Sequence, residues 1–241
     1  MNKNNIWFIT PKTNLHVGNE NTSSYGLIDL AVQRNATTNL PCINSSSLKG
    51  ALNEFAAKKV GMDSNDLIKI FGSDKVKENG KARNADTKKG LYSFFDANIL
   101  FIPVQDDNSL YHLETAPDVL NQFRSQMALF GIKLNSDDNA LTEDLKQILG
   151  INKAIKVVEY SKFKDLCSDD NLPIIARNIL DNGESKNLWY EQVVPAEAVF
   201  YTIIDGGKDN ALAEKLNNEA IVQIGANATI GYGYCQFTNF K

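Results

Sequence analysis

Histidine is scarce in this chain: His16 and His112 are the only two among 241 residues. That leaves little material for an imidazole-rich metal centre, and no H-E-x-x-H segment is present. Three cysteines, Cys42, Cys167 and Cys235, are odd in number and far apart, without C-x-x-C spacing. They read as buried thiols rather than a disulfide framework or a zinc site. There is no G-x-x-x-x-G-K-[S/T] segment, so a Walker-type NTPase is not expected. No apolar run approaches the roughly 18 residues of a membrane helix. The opening "MNKNNIWFITPK" lacks an apolar signal core, so the expected location is the cytoplasm.

The composition is that of a globular chain: 43% apolar, 22% charged, with 12 Phe and 8 Tyr to fill a core. The net charge of −4 argues against indiscriminate nucleic-acid binding through the whole surface. The charge is uneven, however. Residues 1–60 carry Lys3, Lys12, Arg34, Lys49, Lys58 and Lys59 against Glu20, Asp29 and Glu54, a net of +3 that leaves −7 for the remainder. A local basic groove on an acidic protein fits that distribution.

Hydrophobic periodicity places a strand at "NIWFIT" (5–10), then a long polar loop over 11–46. "SSLKGALNEFAAKKV" puts Leu48, Ala51, Leu52, Phe55, Ala56 and Val60 on one helical face, with Ser46 or Ser47 as N-cap. Residues 61–90 read as a flexible polar insertion, and 91–104 as a strand or strand pair. "PDVLNQFRSQMALFG" starts a helix at Pro117 and stops it before Gly131. "TEDLKQIL" suggests a short helix, and 153–187 an inserted hairpin arm. Strand character returns at "LWYEQVVPAEAVFYTII"; a short helix near 209–218 leads into two strands around "GANATIGYG". The order predicts one α+β domain over 1–241 with a ferredoxin-like core and insertions.

Four features carry possible chemistry. Asp29 lies in the apolar run "YGLIDLAVQR"; burying an unpaired carboxylate is costly, so it is capping, paired, metal-bound or catalytic. The helix start "NSSSLKGAL" offers free amides and Lys49 to an anion, or is simply a capped helix with a solvated lysine. The Gly-rich turn admits a close backbone approach or is only a tight hairpin. Arg34 could meet a phosphate or Asp29, or form a surface salt bridge. These local readings stay open.

Taken together, "LHVGNENTSSYGLIDLAVQRNATTNLPCINSSSLKGAL", "FFDANILFIPV" with "TAPDVL", "LWYEQVVPAEAVFYT" and "VQIGANATIGYGYCQF" resemble the RAMP superfamily of CRISPR antiviral-defence proteins. The similarity is nearest to the backbone subunit of Cmr-type (type III-B) effectors. Ala31 stands where that family often has Pro, and Asn44-Ser45-Ser46-Ser47 where a Gly often precedes a Ser pair. The resemblance implies an RNA-recognition-motif-like core with a β-hairpin thumb. It implies a ribonucleoprotein in which copies of the chain, with other Cmr-type subunits, stack as a filament along a CRISPR guide RNA. Ser47, Lys49, Arg34 and the loop of Gly225, Gly231 and Gly233 would contact the guide. Asp29 would support Mg²⁺-dependent cleavage of complementary target RNA at regular intervals, as metal ligand or as positioner of the attacking hydroxyl. His16 and Glu191 would stand behind it. A non-catalytic guide-binding scaffold and a repeat-processing endoribonuclease are the rival expectations.

Overall fold

The computed structural model describes residues 5–18, 28–73, 77–78, 81–82, 87–182, 184–216 and 220–240. β1 (Ile6–Pro11) is followed by a loop, then β2 (Cys42–Ile43), α1 (Ser45–Glu54), a π-helical segment (Phe55–Val60) and α2 (Ser64–Phe71). β3 (Lys77–Glu78) and β4 (Lys81–Ala82) pair only with each other among the described residues. β5 (Ser93–Phe94), β6 (Ala97–Asp106) and β7 (Ser109–Thr115) precede α3 (Pro117–Leu129) and α4 (Asp138–Leu149). β8 (Ile155–Val157), α5 (Tyr160–Leu166), β9 (Ile174–Asp181), β10 (Glu184–Gln192) and β11 (Val199–Asp205) come next. α6 (Ala211–Lys215), β12 (Ile221–Gln223), a 3₁₀ turn (Ala228–Ile230) and β13 (Tyr234–Asn239) close the chain.

The main sheet runs β12-β13-β1-β11-β6-β7-β8, with β2 on β6 and β5 on β11. Its centre, β13-β1-β11-β6, is antiparallel at every step. Counting β1, β6, β11 and β13 as first to fourth gives the order 4-1-3-2, that of a split β-α-β ferredoxin-like core. Side chains alternate between faces along a strand, yet Ile6, Trp7, Phe8 and Ile9 are all buried. Both faces of β1 are therefore covered. On one, Phe123 of α3 packs against Tyr201 and Phe8, ring centroids 4.7 and 6.0 Å away.

Several elements differ from the sequence expectation. Neither Ser46 nor Ser47 caps α1; its N-cap is Asn44, without a side-chain cap bond. The Gln33 and Asp96 side chains instead accept from the amides of Asn44 (2.8 Å) and Ser45 (2.7 Å). The supposed polar insertion 61–90 contains α2, capped by Asp63 on the amides of Asn65 and Asp66, with Ile70 and Phe71 buried. Within that insertion, 74–76, 79–80 and 83–86 lie outside the described residues. The hairpin arm spans 174–192 rather than 153–187, because "VVEYSKF" goes into β8 and α5. Tyr160, Phe163 and Cys167 repeat at helical spacing there, and Phe163 is fully buried. β7 was not expected at all.

A polar knot ties α2 to the second crossover. Asp209 receives the Lys69 ammonium, the Tyr92 hydroxyl (2.6 Å) and the Ala211 amide (3.0 Å). Lys69, then Tyr92 and Ala211, hold its carboxyl down at about 2. A depressed carboxylate contributes stability above its unfolded pKa and loses it as pH falls through the folded value. Lys69 is half exposed, so the contribution is about 1–2 kcal/mol, lost between about pH 4 and pH 2. Urea unfolding at pH 5 and pH 2 should show that extra loss in the native chain and not in Asp209→Asn.

Candidate nucleic-acid interface

Asp29 is not a buried acid: its side chain is exposed, while Val32 behind it is buried and Ile28 and Leu30 are half-buried. Residues 19–27, including Leu27, lie outside the described residues. The loop is held edge-on to the base of the hairpin arm. The amides of Asp29 and Leu30 donate to the Tyr190 carbonyl (3.0 and 3.1 Å), and the Gln192 amide donates to the Leu30 carbonyl (2.9 Å). In return the Tyr190 amide donates to Asp29 Oδ2 at 2.7 Å. Oδ1 has no partner among the described residues. Asp29 is thus a surface carboxylate with one oxygen committed and one available.

Behind that loop lies a buried polar cluster. Glu191 is 1% exposed. It accepts from the Asn227 side-chain amide and pairs with Arg177, Nε to Oε2 at 3.3 Å. The Arg177 guanidinium lies over the Tyr232 ring, 4.7 Å from its centroid. His16 Nδ1 is 2.7 Å from the Gln192 carbonyl, which requires Nδ1 to carry the proton, and 3.7 Å from Glu191. The His16 carbonyl accepts from the Ala226 amide (2.9 Å). The cluster therefore joins the hairpin arm, the His16 segment and the Gly-rich loop. Glu191 touches the Asp29 loop through its backbone bridge to Leu30, and His16 reaches the neighbouring Gln192 carbonyl; both side chains are buried among structural partners.

A groove of about 310 Å³ opens beside this cluster, lined by Val17, Gly18, Ser47, Ala51, Gln223 and Gly225 among others. Val32, three residues after Asp29, bridges to Gly18 on its wall. Ser47 Oγ accepts from Gln33 Nε2 (3.0 Å), so its position at the start of α1 is set from the loop that carries Asp29. The amides of Ser46 and Ser47 have no acceptor among the described residues, as the first turn of a helix requires. Lys49 is exposed, one position beyond buried Leu48, with no ion pair among the described residues.

The structure separates the expected guide contacts. Ser47 and Gly225 share the groove, and Lys49 is at the same helix end. Arg34 is not free: Nε and Nη2 donate to Asp169 Oδ1 (3.1 and 2.6 Å), and Nη1 to the Asn39 and Cys167 carbonyls (both 2.8 Å). Its partner is Asp169, not Asp29, and its work is to clamp the 167–169 turn. Gly233 is buried, and a Cβ there would lie 1.9 Å from the Ile224 carbonyl oxygen at φ +74°. Gly231, at φ +85°, faces open space. Gly233→Ala should therefore cost about 3 kcal/mol or more, and Gly231→Ala only about 1–2 kcal/mol of left-handed strain, by chemical denaturation. Arg177 was missed because its only local context is "PIIARNIL", which pairs it with nothing.

No group of three His, Cys, Asp or Glu side chains that could hold a metal occurs among the described residues. Among the described residues of its loop only Asp29 offers a carboxylate oxygen, and Glu54 on the groove wall is paired with Lys58. That donor set fits Mg²⁺ only in the mode where one carboxylate and substrate phosphates share the ion.

The family's sequence profile, described as the RAMP superfamily, matches residues 8–236. The chain belongs to the RAMP superfamily. Over 88% of its length it is 28% identical to the CRISPR system Cmr endoribonuclease Cmr4 of Pyrococcus furiosus, covering 88% of that protein. Its fold matches the crystal structure of oligomeric Cmr4 from Pyrococcus furiosus with a TM-score of 0.72 at 24% identity, over 97% of this chain and 96% of that one. It also matches a chain of the type III-B Cmr-beta complex bound to cognate target RNA, TM-score 0.71 at 21% identity, over 97% and 95%. No described helix is long and apolar enough to cross a membrane.

Proposed function

We propose that this chain is a backbone subunit of a type III-B CRISPR effector. Copies of it, with other Cmr-type subunits, line a CRISPR guide RNA and cut complementary target RNA at regular intervals. The observation that carries this reading is Asp29: an exposed carboxylate fastened to the base of a projecting hairpin, beside an amide-rich groove. The groove holds the guide backbone at the α1 N-terminus, through the Ser46 and Ser47 amides, Lys49 and the Gly225 turn. The protein needs no base readout, because guide–target pairing supplies sequence recognition. The hairpin acts as the thumb that interrupts this pairing and distorts the target next to Asp29.

Cleavage then follows from position. The distorted nucleotide brings its 2′-hydroxyl in line with the adjacent phosphorus; its attack forms a 2′,3′-cyclic phosphate and expels the 5′-oxygen, which takes a proton from solvent and leaves as a 5′-hydroxyl. The free Asp29 oxygen orients that hydroxyl and takes its proton, while Oδ2 stays on the Tyr190 amide and fixes the carboxylate. A bound Mg²⁺ would supply charge stabilisation at the reacting phosphate; RNA phosphates would hold it, with the free Asp29 oxygen as a further ligand only in the alternative where that oxygen does not act on the hydroxyl.

A second reading has its own observation. The Oδ2 bond to Tyr190 is a loop-building contact, as a guide-binding scaffold without catalysis would need. A repeat-processing endoribonuclease is disfavoured, since His16 and His112 are 3% and 6% exposed and neither is presented to a substrate. Complexes reconstituted on a guide RNA and given labelled target, with Mg²⁺ or with EDTA, test the proposal. Evenly spaced cuts, lost in EDTA, support it. Stable target binding without cuts leaves the scaffold, and cuts that persist in EDTA remove the metal.

A further inference from the structure

The groove beside Asp29 does not end at Gly18 and Ser47. Ala51, Glu54 and Gln223 also line a second hollow of about 190 Å³, further along α1, with Phe55, Lys58, Lys59, Ile221 and Tyr234. Ser47, Ala51, Glu54 and Lys58 recur at helical spacing, so one helix face forms a wall common to both. At the far end the backbone changes. Phe55–Val60 is π-helical and stops at Gly61, in the left-handed conformation. Such segments are rare and frequently mark functional sites. Here it brings Lys58 and Lys59 to the rim, opposite Tyr234 and Ile221, which stay 39% and 45% exposed. Lys58 is paired with Glu54 (2.7 Å); Lys59 has no ion-pair partner among the described residues.

An apolar hollow with an exposed aromatic ring and a cationic rim suits one unpaired nucleotide: base on the ring, phosphate on the ammonium groups. We infer that this hollow is a second RNA subsite, which takes a guide nucleotide further along the strand than the one at the α1 N-terminus. The occupant is assigned to the guide because the hollow is continuous with the groove at Ser47. This rests on the guide-binding reading above.

Binding of a guide-length single-stranded RNA to the purified chain, followed as a function of salt, separates the two claims. Lys58→Gln/Lys59→Gln should weaken binding and reduce the log–log salt slope by roughly 0.7 for each phosphate left without its ammonium partner. Tyr234→Ala should weaken it roughly fivefold or more with the slope unchanged, and Tyr234→Phe should restore it. In complexes carrying thiouridine in the guide or in the target, guide crosslinks at Phe55 or Tyr234 are expected. Native affinity in both variants, with the native chain binding RNA, overturns the subsite alone. Failure of the native chain to bind RNA overturns the guide-binding reading with it. Crosslinks to the target only, or variants that lose self-association while binding RNA normally, assign the hollow to the target strand or to a second copy and also overturn it.

Discussion

Asp29→Asn should leave guide and target RNA bound while slowing target cleavage by about 10²–10⁴-fold, the range associated with a positioned acid–base group. The choice of asparagine follows from the geometry. Its amide oxygen still accepts from the Tyr190 amide, now met by Oδ2 at 2.7 Å, so the loop keeps its seat on the hairpin. What is lost is the charge and the acceptor strength of the outward oxygen. Asp29→Ala removes both functions and also leaves the Tyr190 amide without this acceptor, so it should lower activity at least as far. Single-turnover cleavage in the reconstituted complex, with target affinity measured in parallel, separates the cases. Native cleavage by Asp29→Asn combined with loss in Asp29→Ala would show that Asp29 only builds the loop.

That distinction was invisible in the sequence. "YGLIDLAVQR" shows an acid among apolar residues and suggests burial, whereas the loop turns the carboxylate outward and buries Val32 instead. The partner that fixes it, Tyr190, is 161 residues away. Local patterns served well where short-range physics decides. Four consecutive apolar β-formers made β1, Pro117 opened α3, and the Leu48–Leu52–Ala56 stripe faced the core. They failed where tertiary contact overrides local preference. Arg34 read as a possible phosphate ligand until the fold brought Asp169 to it. The cap of α1 came from Gln33 and Asp96 rather than its own serines. The groove itself was half legible: Ser47 and Gly225 meet as the family resemblance implies, but the continuation along the π-helical segment has no signature in "FAAKKV". Arg177, the cation that neutralises Glu191, could be found only by pairing β9 with β10.

Glu191→Gln should be the most destabilising isosteric change near the site, by about 3 kcal/mol. The reasoning concerns what is left behind rather than what the ion pair supplies. Glu191 is 1% exposed and Arg177 is mostly buried, so neutralising the acid strands a guanidinium against Tyr232 with no counter-charge. Nε and Nη2 of Arg177 already lack well-formed hydrogen bonds, which makes the Glu191 charge its chief compensation. For a domain of this size the melting temperature should fall by about 6–12 °C. Arg177→Met in the same background should recover part of the loss, because the stranded charge goes with it. The coupling energy of that double-mutant cycle, measured by urea unfolding, should therefore exceed about 1 kcal/mol. A cycle that closes to zero would mean that Asn227 and His16, not Arg177, hold Glu191 in place. The structural consequence is specific. Arg177 sits on the hairpin and Asn227 on the Gly-rich loop, so Glu191 fixes the arm relative to the Gly-rich loop that lines the groove, while its neighbour Tyr190 holds Asp29. In this arrangement a single buried carboxylate sets where the exposed one stands.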